Sequence, residues 1–341
     1  MGATIKDIAK MVGVSASTVS RVINGNAAIS EETRTRIQEA MKELNYHPNS
    51  RARNFANGIT NTIALVIDAE DENTFANTFF NRSVYAIERA AQKNGYNLLI
   101  TNDMDEKGSS ITSLVYEKKV DGLILPSSSI RKKLTDLLEK EQFPFVVLGE
   151  PEVFSDKVDW VDINNYEGGK KAVCHLLEQG FKRAAFVSEE DQTVFAKRRI
   201  AGFLDGLREK NIDLENVEVL ICGQDYQGLI NDVKRAVEEK RIDSVLCSNN
   251  IISYHILKGM RDARIPVPEK LGMVTFDNYP LAEYMEPPLT AVDVDTYRLG
   301  EITANALIQK MNNREVEQRN VLIDTELIKR ASSEGREEQI G

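Results

Sequence analysis

From Thr60 to about residue 330, short apolar runs alternate with amphipathic helical patterns, and this alternation leaves few architectures open to the chain. The runs include TIALVI (62–67), NLLI (97–100), DGLIL (121–125), FVVL (145–148), AAFV (184–187), SVLC (244–247) and GMVTF (272–276). They are continuous rather than alternating, as strands buried on both faces are, so parallel sheets covered by helices are expected. Between them lie stretches such as VYAIERAAQKNG (84–95) and GFLDGLREKN (202–211), which close on Gly or Asn near a Lys, as helix C-termini do. The units are too many for one sheet. Two doubly wound lobes follow, with ligands expected at the carboxyl ends of the strands, facing a cleft between the lobes.

The first 60 residues carry no strand pattern. Thr4 can cap a helix with Asp7 three positions on, and Ile5, Ile8 and Ala9 supply its apolar face. Gly13 allows a left-handed turn. Ser15 can cap a second helix that buries Val19, Val22 and Ile23 and leaves Ala16, Ser17, Ser20 and Arg21 outward, with Asn24-Gly25-Asn26 as its end. Ser30 caps a third, carrying Ile37, Ala40, Met41 and Leu44. Two short helices around a Gly turn, braced by a third, make a helix-turn-helix unit. A helix entering the DNA major groove needs small side chains at its N-terminal end so that its backbone can approach base edges. Hydroxyls there bond phosphates or bases, and an arginine can bind guanine bidentately. The plain alternative is a three-helix domain whose Ser and Thr residues only cap helices.

Charge separates the same two regions. In the first 60 residues Lys6, Lys10, Arg21, Arg34, Arg36, Lys42, Arg51 and Arg53 outnumber Asp7, Glu31, Glu32, Glu39 and Glu43, whereas the whole chain of 341 residues carries −10. Only the head is therefore expected to meet a polyanion. Cys174, Cys222 and Cys247 are scattered, which reads as buried thiols in a reducing cytoplasm. No signal-peptide pattern and no membrane-length apolar run occurs, so no membrane partner is expected. Gly168-Gly169-Lys170-Lys171 lacks the flanking residues of a phosphate loop, and no metal-ligand spacing appears, so no cofactor and no metal are expected. His47, His175 and His255 lie far apart, and no nucleophile elbow is present, which argues against an enzyme; His175 falls on an otherwise apolar helix and reads as structural. A transport receptor would share the lobes but would need a secretion signal and no DNA-binding head. The terminal SSEGREEQIG (332–341) reads as a frayed polar tail.

TIKDIAKMVGVSASTVSRVINGN followed by ISEETRTRIQEAMKELNYHPNSRARNFA resembles the head of the lactose-repressor/galactose-repressor family of bacterial transcription regulators. The resemblance continues through NTFF (77–80), NNYEGG (164–169), RRIAGF (198–203), SNN (248–250) and FDNYPLAEYMEPPLT (276–290), covering residues 4 to about 330. It implies a cytoplasmic homodimer in which each head reads half of a palindromic operator. The body, of the periplasmic-binding-protein kind, would sense a small molecule, usually a sugar. The domains implied are a head over 1–48, a hinge over 49–61 and a body over 62–331. The body's first lobe would take about 62–162 and 291–320, and its second about 163–290 and 321–331.

Residue by residue, the resemblance makes Ala16 and Ser17 the base-reading pair and Arg21 the groove arginine. Thr18, Ser20, Asn24 and Ser30 fall at phosphate-contacting places, and Thr4, Lys6 and Ser15 complete the DNA-facing set of the head. In the hinge, Asn49, Ala52 and Arg53 accompany Phe55, which stands where the family usually has a leucine that wedges into the minor groove; Phe is also an intercalating side chain. For the effector, fork-like or carboxylate side chains bond adjacent hydroxyls and an aromatic face covers the ring. Arg199, Asp277, Asn249, Asn164, Phe79, Phe80 and Tyr226 are the implied contacts, all expected in loops after strands, with Lys197 and Arg198 able to share the role of Arg199. Asn164 and Asn250 stand where aspartate is common in the family, and DNYPLAEYMEPPLT (277–290) is most similar to regulators of maltose and maltodextrin genes. Some members of the family respond instead to a phosphorylated carrier protein, a partner that leaves no short motif.

Overall fold

A computed structural model describes residues 3–23, 29–46, 59–67, 78–102, 109–312 and 320–335. The chain divides into two compact units, Met1–Thr60 and Asn61–Gly341.

Among its described residues the first unit is a head of three helices. Helix α1 (Ile5–Val12) starts at a full capping box, with Thr4 and Asp7 bonding each other's backbone, and stops at Gly13 in the left-handed conformation (φ +75°). Helices α2 (Ala16–Ile23) and α3 (Glu31–Glu43) follow, the latter capped by Ser30. Ile8, Ala9, Val12, Val19, Val22, Ile37 and Ala40 form one small core. The Arg36 guanidinium on α3 donates to the Val12 carbonyl at 2.8 Å, which satisfies an open carbonyl at the end of α1 and ties the third helix to the first.

The second unit holds two six-stranded sheets. The first contains β1 (Thr62–Ile67), β2 (Asn97–Asn102), β3 (Gly122–Pro126), β4 (Phe145–Leu148), β5 (Trp160–Ile163) and β11 (Asn320–Ile323), all parallel, in the order β11-β5-β4-β3-β1-β2. The second contains β6 (Ala184–Ser188), β7 (Val219–Ile221), β8 (Ser244–Cys247), β9 (Gly272–Phe276), β10 (Thr290–Asp293) and β12 (Glu326–Ile328), in the order β12-β10-β9-β8-β6-β7. Only β12 runs antiparallel, against β10. The helices, in chain order, are α4 (Thr78–Lys93), α5 (Ser109–Tyr116), α6 (Lys132–Lys140), α7 (Asn165–Glu178), α8 (Val194–Glu209), α9 (Tyr226–Glu238), α10 (Asn250–Asp262), α11 (Pro280–Tyr284) and α12 (Thr296–Met311). The helix endings read from Gly95 and Asn211 coincide with positive φ at both residues (+81° and +58°).

The strand membership shifts the expected lobe boundaries by a few residues. β10 belongs to the second sheet as far as Asp293, and β11 belongs to the first as far as Ile323. Each strand completes its ladder before the chain crosses, so the crossings lie just after Ile163, Asp293 and Ile323. The first two residues of the terminal segment also depart from expectation, while 336–341 lie outside the described residues. Ser332 and Ser333 are fully buried rather than frayed. The Ser332 hydroxyl donates to the Met273 carbonyl (2.7 Å) and accepts the Thr290 N–H (2.8 Å), while Ser333 bonds Thr290 and His175. Small hydroxyls that pair inside the second lobe are indistinguishable by composition from a solvated tail. Of the three thiols, all free, Cys247 is buried but Cys174 and Cys222 are partly exposed.

Candidate functional site

Two regions concentrate the residues singled out above. In the head, Ala16, Ser17 and Arg21 are exposed on one face of α2, while Thr18 and Ser20 are half-buried. Ser15 takes the capping role: its hydroxyl accepts the Thr18 N–H at 3.1 Å and lies 2.7 Å from Ser17 Oγ and 2.8 Å from Thr18 Oγ1. This ring of hydroxyls fixes the first turn of α2 and leaves its outer side without bulk. Thr4, Lys6 and Ser30 are also exposed. Asn24, Asn49, Ala52, Arg53 and Phe55, with most of the hinge, lie outside the described residues.

In the body the strands β5, β6, β8 and β9 end on a cluster of polar side chains. Arg199, 6% exposed, is its centre. Its Nε donates to Asn165 Oδ1 at 2.8 Å and its Nη1 to the Ser248 carbonyl. Phe276 and Phe195 place their rings 4.0 and 5.3 Å from the guanidinium carbon. Burial lowers the Arg199 pKa, and nearby Asp277 and Asp162 oppose that shift by favouring the cation. Asp277, 8% exposed, follows β9 in the left-handed region at φ +70°. Burial raises its pKa against the pull of Arg199, and Asp293 adds to the rise. Its Oδ1 and the Tyr279 hydroxyl are buried without a hydrogen-bond partner among the described residues. Asp162, on β5, accepts N–H bonds from Glu150 (2.9 Å) and Ile163 (2.7 Å), yet burial pushes it up to about 6.

A second group stands beside it. Glu189, after β6, accepts from the Tyr226 hydroxyl and from Asn249 Nδ2, the latter at 3.1 Å. The Tyr226 ring stacks on His255 with centroids 4.2 Å apart and planes 6° from parallel. Burial raises the Tyr226 pKa and the carboxylate partner raises it further.

Several placements differ from the loop positions expected. Arg199 sits within helix α8, Tyr226 opens α9, and Phe79 and Phe80 lie in the first turn of α4. Phe80 is half-buried against the core, while the Phe79 side chain falls outside the described residues. Asn164 and Asn249 are N-caps, accepting N–H bonds from Glu167 (3.2 Å) and Ile252 (2.9 Å). Lys197 and Arg198 do not share the position of Arg199. They reach across to the loop after β4, where Lys197 pairs with Glu152 at 2.8 Å and Arg198 with Glu150 at 2.9 and 2.5 Å. Asn165, Asp162 and Glu189 join the cluster without being among the contacts that the sequence implies. The only sequence signal for Asn165 is its adjacency to Asn164.

The glycines of NNYEGG and RRIAGF set this geometry. A Cβ on Gly169 would stand 2.3 Å from the Arg199 carbonyl oxygen, and one on Gly202 only 1.9 Å from that of Tyr166. Helices α7 and α8 therefore touch backbone to backbone, which places Asn165 and Arg199 within a hydrogen bond of each other. Gly169 thus serves the contact between the helices, whereas Gly168, whose Cβ would stand 2.8 Å from the Phe276 ring of β9, serves the packing of α7 on the sheet.

A helix-turn-helix head followed by a two-lobed, mostly parallel α/β body defines a DNA-binding regulator of transcription. Residues 4–49 match the family described as bacterial regulatory proteins, lacI family, and residues 173–333 match a periplasmic binding protein-like domain. The HTH-type transcriptional regulator MalR of Streptococcus pneumoniae is 30% identical over 320 residues, spanning 92% of this chain and 94% of that protein. The solved complex of the transcriptional regulator CelR with cellobiose is similar over 97% of this chain and 99% of that one, at 27% identity and a TM-score of 0.71. The lac repressor dimer bound to operator and the anti-inducer ONPF shares the fold, with a TM-score of 0.80 at 22% identity over 98% and 100% of the two chains. The chain belongs to the lacI family: it is a sequence-specific DNA-binding transcriptional repressor rather than an enzyme. Among the described residues no helix is long and apolar enough to cross a membrane.

Proposed function

We propose that this repressor acts in the cytoplasm as a homodimer whose grip on a palindromic operator is set by a sugar held in the cleft of the body. In the head, Ala16 and Ser17 would read bases and Arg21 would bind guanine. Thr4, Lys6, Ser15, Thr18, Ser20, Asn24 and Ser30 would contact or frame the phosphates. In the hinge, Phe55 would enter the minor groove beside Asn49, Ala52 and Arg53. The exposure of Ser17 and Arg21 on one face of α2 supports this reading of the head.

The single observation that carries the ligand reading is the buried Asp277 carboxylate under the influence of the buried Arg199 cation, with its Oδ1 left without a donor among the described residues. A buried carboxylate oxygen without a partner is costly, and a ligand hydroxyl satisfies it. Arg199, Asp277, Asn249 and Asn164 would bond ring hydroxyls, and Tyr226, Phe79 and Phe80 would cover the apolar C–H face. The cellobiose carried by CelR supports a sugar as the ligand class.

The test has two arms. Footprinting and titration should give a two-half-site footprint with Kd on the order of 10⁻⁸ to 10⁻¹¹ M at physiological salt. A thermal-shift screen of the purified protein against mono- and disaccharides should find a ligand that raises the melting temperature with concentration. A footprint of one unrepeated half-site overturns the dimer. A shift produced only by a phosphorylated carrier protein overturns the sugar.

A further inference from the structure

We infer that Arg330, in the C-terminal strap, is a positioning residue for the ligand loop that carries Asp277. The inference rests on the cleft reading above only in what the loop binds. The strap leaves the first sheet at Ile323, passes Thr325, whose carbonyl accepts Lys171 Nζ at 2.8 Å, and joins the second sheet as β12. Two residues past β12, Arg330 turns its guanidinium onto the segment between β9 and β10. Nη2 donates to Asn278 Oδ1 at 2.8 Å and Nη1 donates to the Leu289 carbonyl at 2.7 Å. These two acceptors are the opening and closing ends of the 278–289 loop.

Besides the bonds within the short helix α11, the loop's own backbone bonds are Tyr279 N–H to the Asp277 carbonyl (3.1 Å), Ala282 N–H to Tyr279 (2.8 Å) and Leu289 N–H to Ala282 (2.8 Å). A single planar fork bridging both ends fixes their separation, which a point-charge ammonium on a flexible stem cannot do. Arg330 is itself anchored, since its N–H donates to Thr290 Oγ1 (2.8 Å) and that hydroxyl donates back to the Arg330 carbonyl (2.8 Å). Asn278 directly follows Asp277, a non-glycine residue in the left-handed region that persists only where its surroundings fix it. Arg330 therefore acts on Asp277 through the neighbouring residue, Asn278.

The experiment is hydrogen exchange by mass spectrometry on the full-length protein as Arg330→Lys, Asn278→Ala and the double variant. Amides of 278–289 should exchange about tenfold faster in each single variant while β10 and β12 keep their protection. The double variant should be no faster than Arg330→Lys, because both changes remove one shared contact. Unchanged exchange in the loop overturns the inference. So does additive acceleration, or acceleration throughout the second sheet, which marks a general structural role. Calorimetric titration with maltose and cellobiose separates the cleft reading. If Asp277→Asn leaves the binding of either sugar unchanged, that reading fails while the exchange result still decides the role of Arg330.

Discussion

The head and the body of this repressor hold their polar residues in opposite ways. In the head, the hydroxyls of Ser15, Ser17 and Thr18 bond one another within a single exposed turn. In the body, Arg199, Asp162 and His175 are buried and bond residues from other elements of the chain, and Asp277 is buried within reach of the Arg199 charge. A surface built from local contacts can be altered without unfolding anything. In a buried polar cluster, removing the cation strands the carboxylates it neutralises, whereas a neutral replacement of the same shape can be accommodated. Substitutions at the two places should accordingly separate binding from stability.

The largest expected effect is at Arg199. Its replacement by Ala strands Asp277 and Asp162 without their cation and should cost about 3–5 kcal/mol of body stability, read by urea unfolding. A loss confined to ligand binding, with stability intact, would break the contrast on the side of the body. Gly202→Ala should follow, at about 1–3 kcal/mol or more, because its Cβ forces α8 away from the Tyr166 carbonyl. The same unfolding series checks it. In the head, Arg21→Ala should leave the melting temperature unchanged while reducing operator affinity by about 1–3 kcal/mol and relaxing preference at one base pair. A base-substitution series on the operator reads this, and an equal loss on every sequence would reassign Arg21 to phosphate.

The smallest effect concerns pH. Burial holds the His175 pKa below its ordinary 6.5, and Lys329 lowers it further. With the folded value depressed, the unfolded chain takes the proton first, so stability is lost as pH falls below 6.5 toward the folded value. His175→Gln keeps a group able to bond Ser333 and should flatten that decline. Unfolding at pH 7.5 and 5.5 for both proteins tests the difference.

The same contrast governs how much of the molecule is legible in its sequence. TIALVI, FVVL, SVLC and GMVTF coincide residue for residue with β1, β4, β8 and β9, since strands inside parallel sheets are apolar throughout. β7 and β12 are only three residues long and lie at the edges of the second sheet, too short to stand out as such runs. The head was readable because capping is local: Thr4, Ser15 and Ser30 each act within three residues. The body's cluster was readable only in part. Asn164 and Asn165 are identical neighbours, yet the first caps α7 and the second holds Arg199, a choice fixed by how closely α7 and α8 approach. Glu189 gathers Tyr226 and Asn249 from two other helix starts, which no spacing in the chain announces.

One measurement bears most directly on a ligand cleft that governs the DNA-binding head. The wild type and Asp277→Asn are titrated on the same operator duplex, with and without the sugar that raises the wild-type melting temperature. Asp277→Asn removes a buried charge that burial already disfavours and keeps the shape of the side chain, so the variant should fold and bind operator as the wild type does. The wild type should change its operator affinity when the sugar is added, and the variant should not. An Asp277→Asn protein that still responds fully to the sugar would contradict the assignment of the cleft.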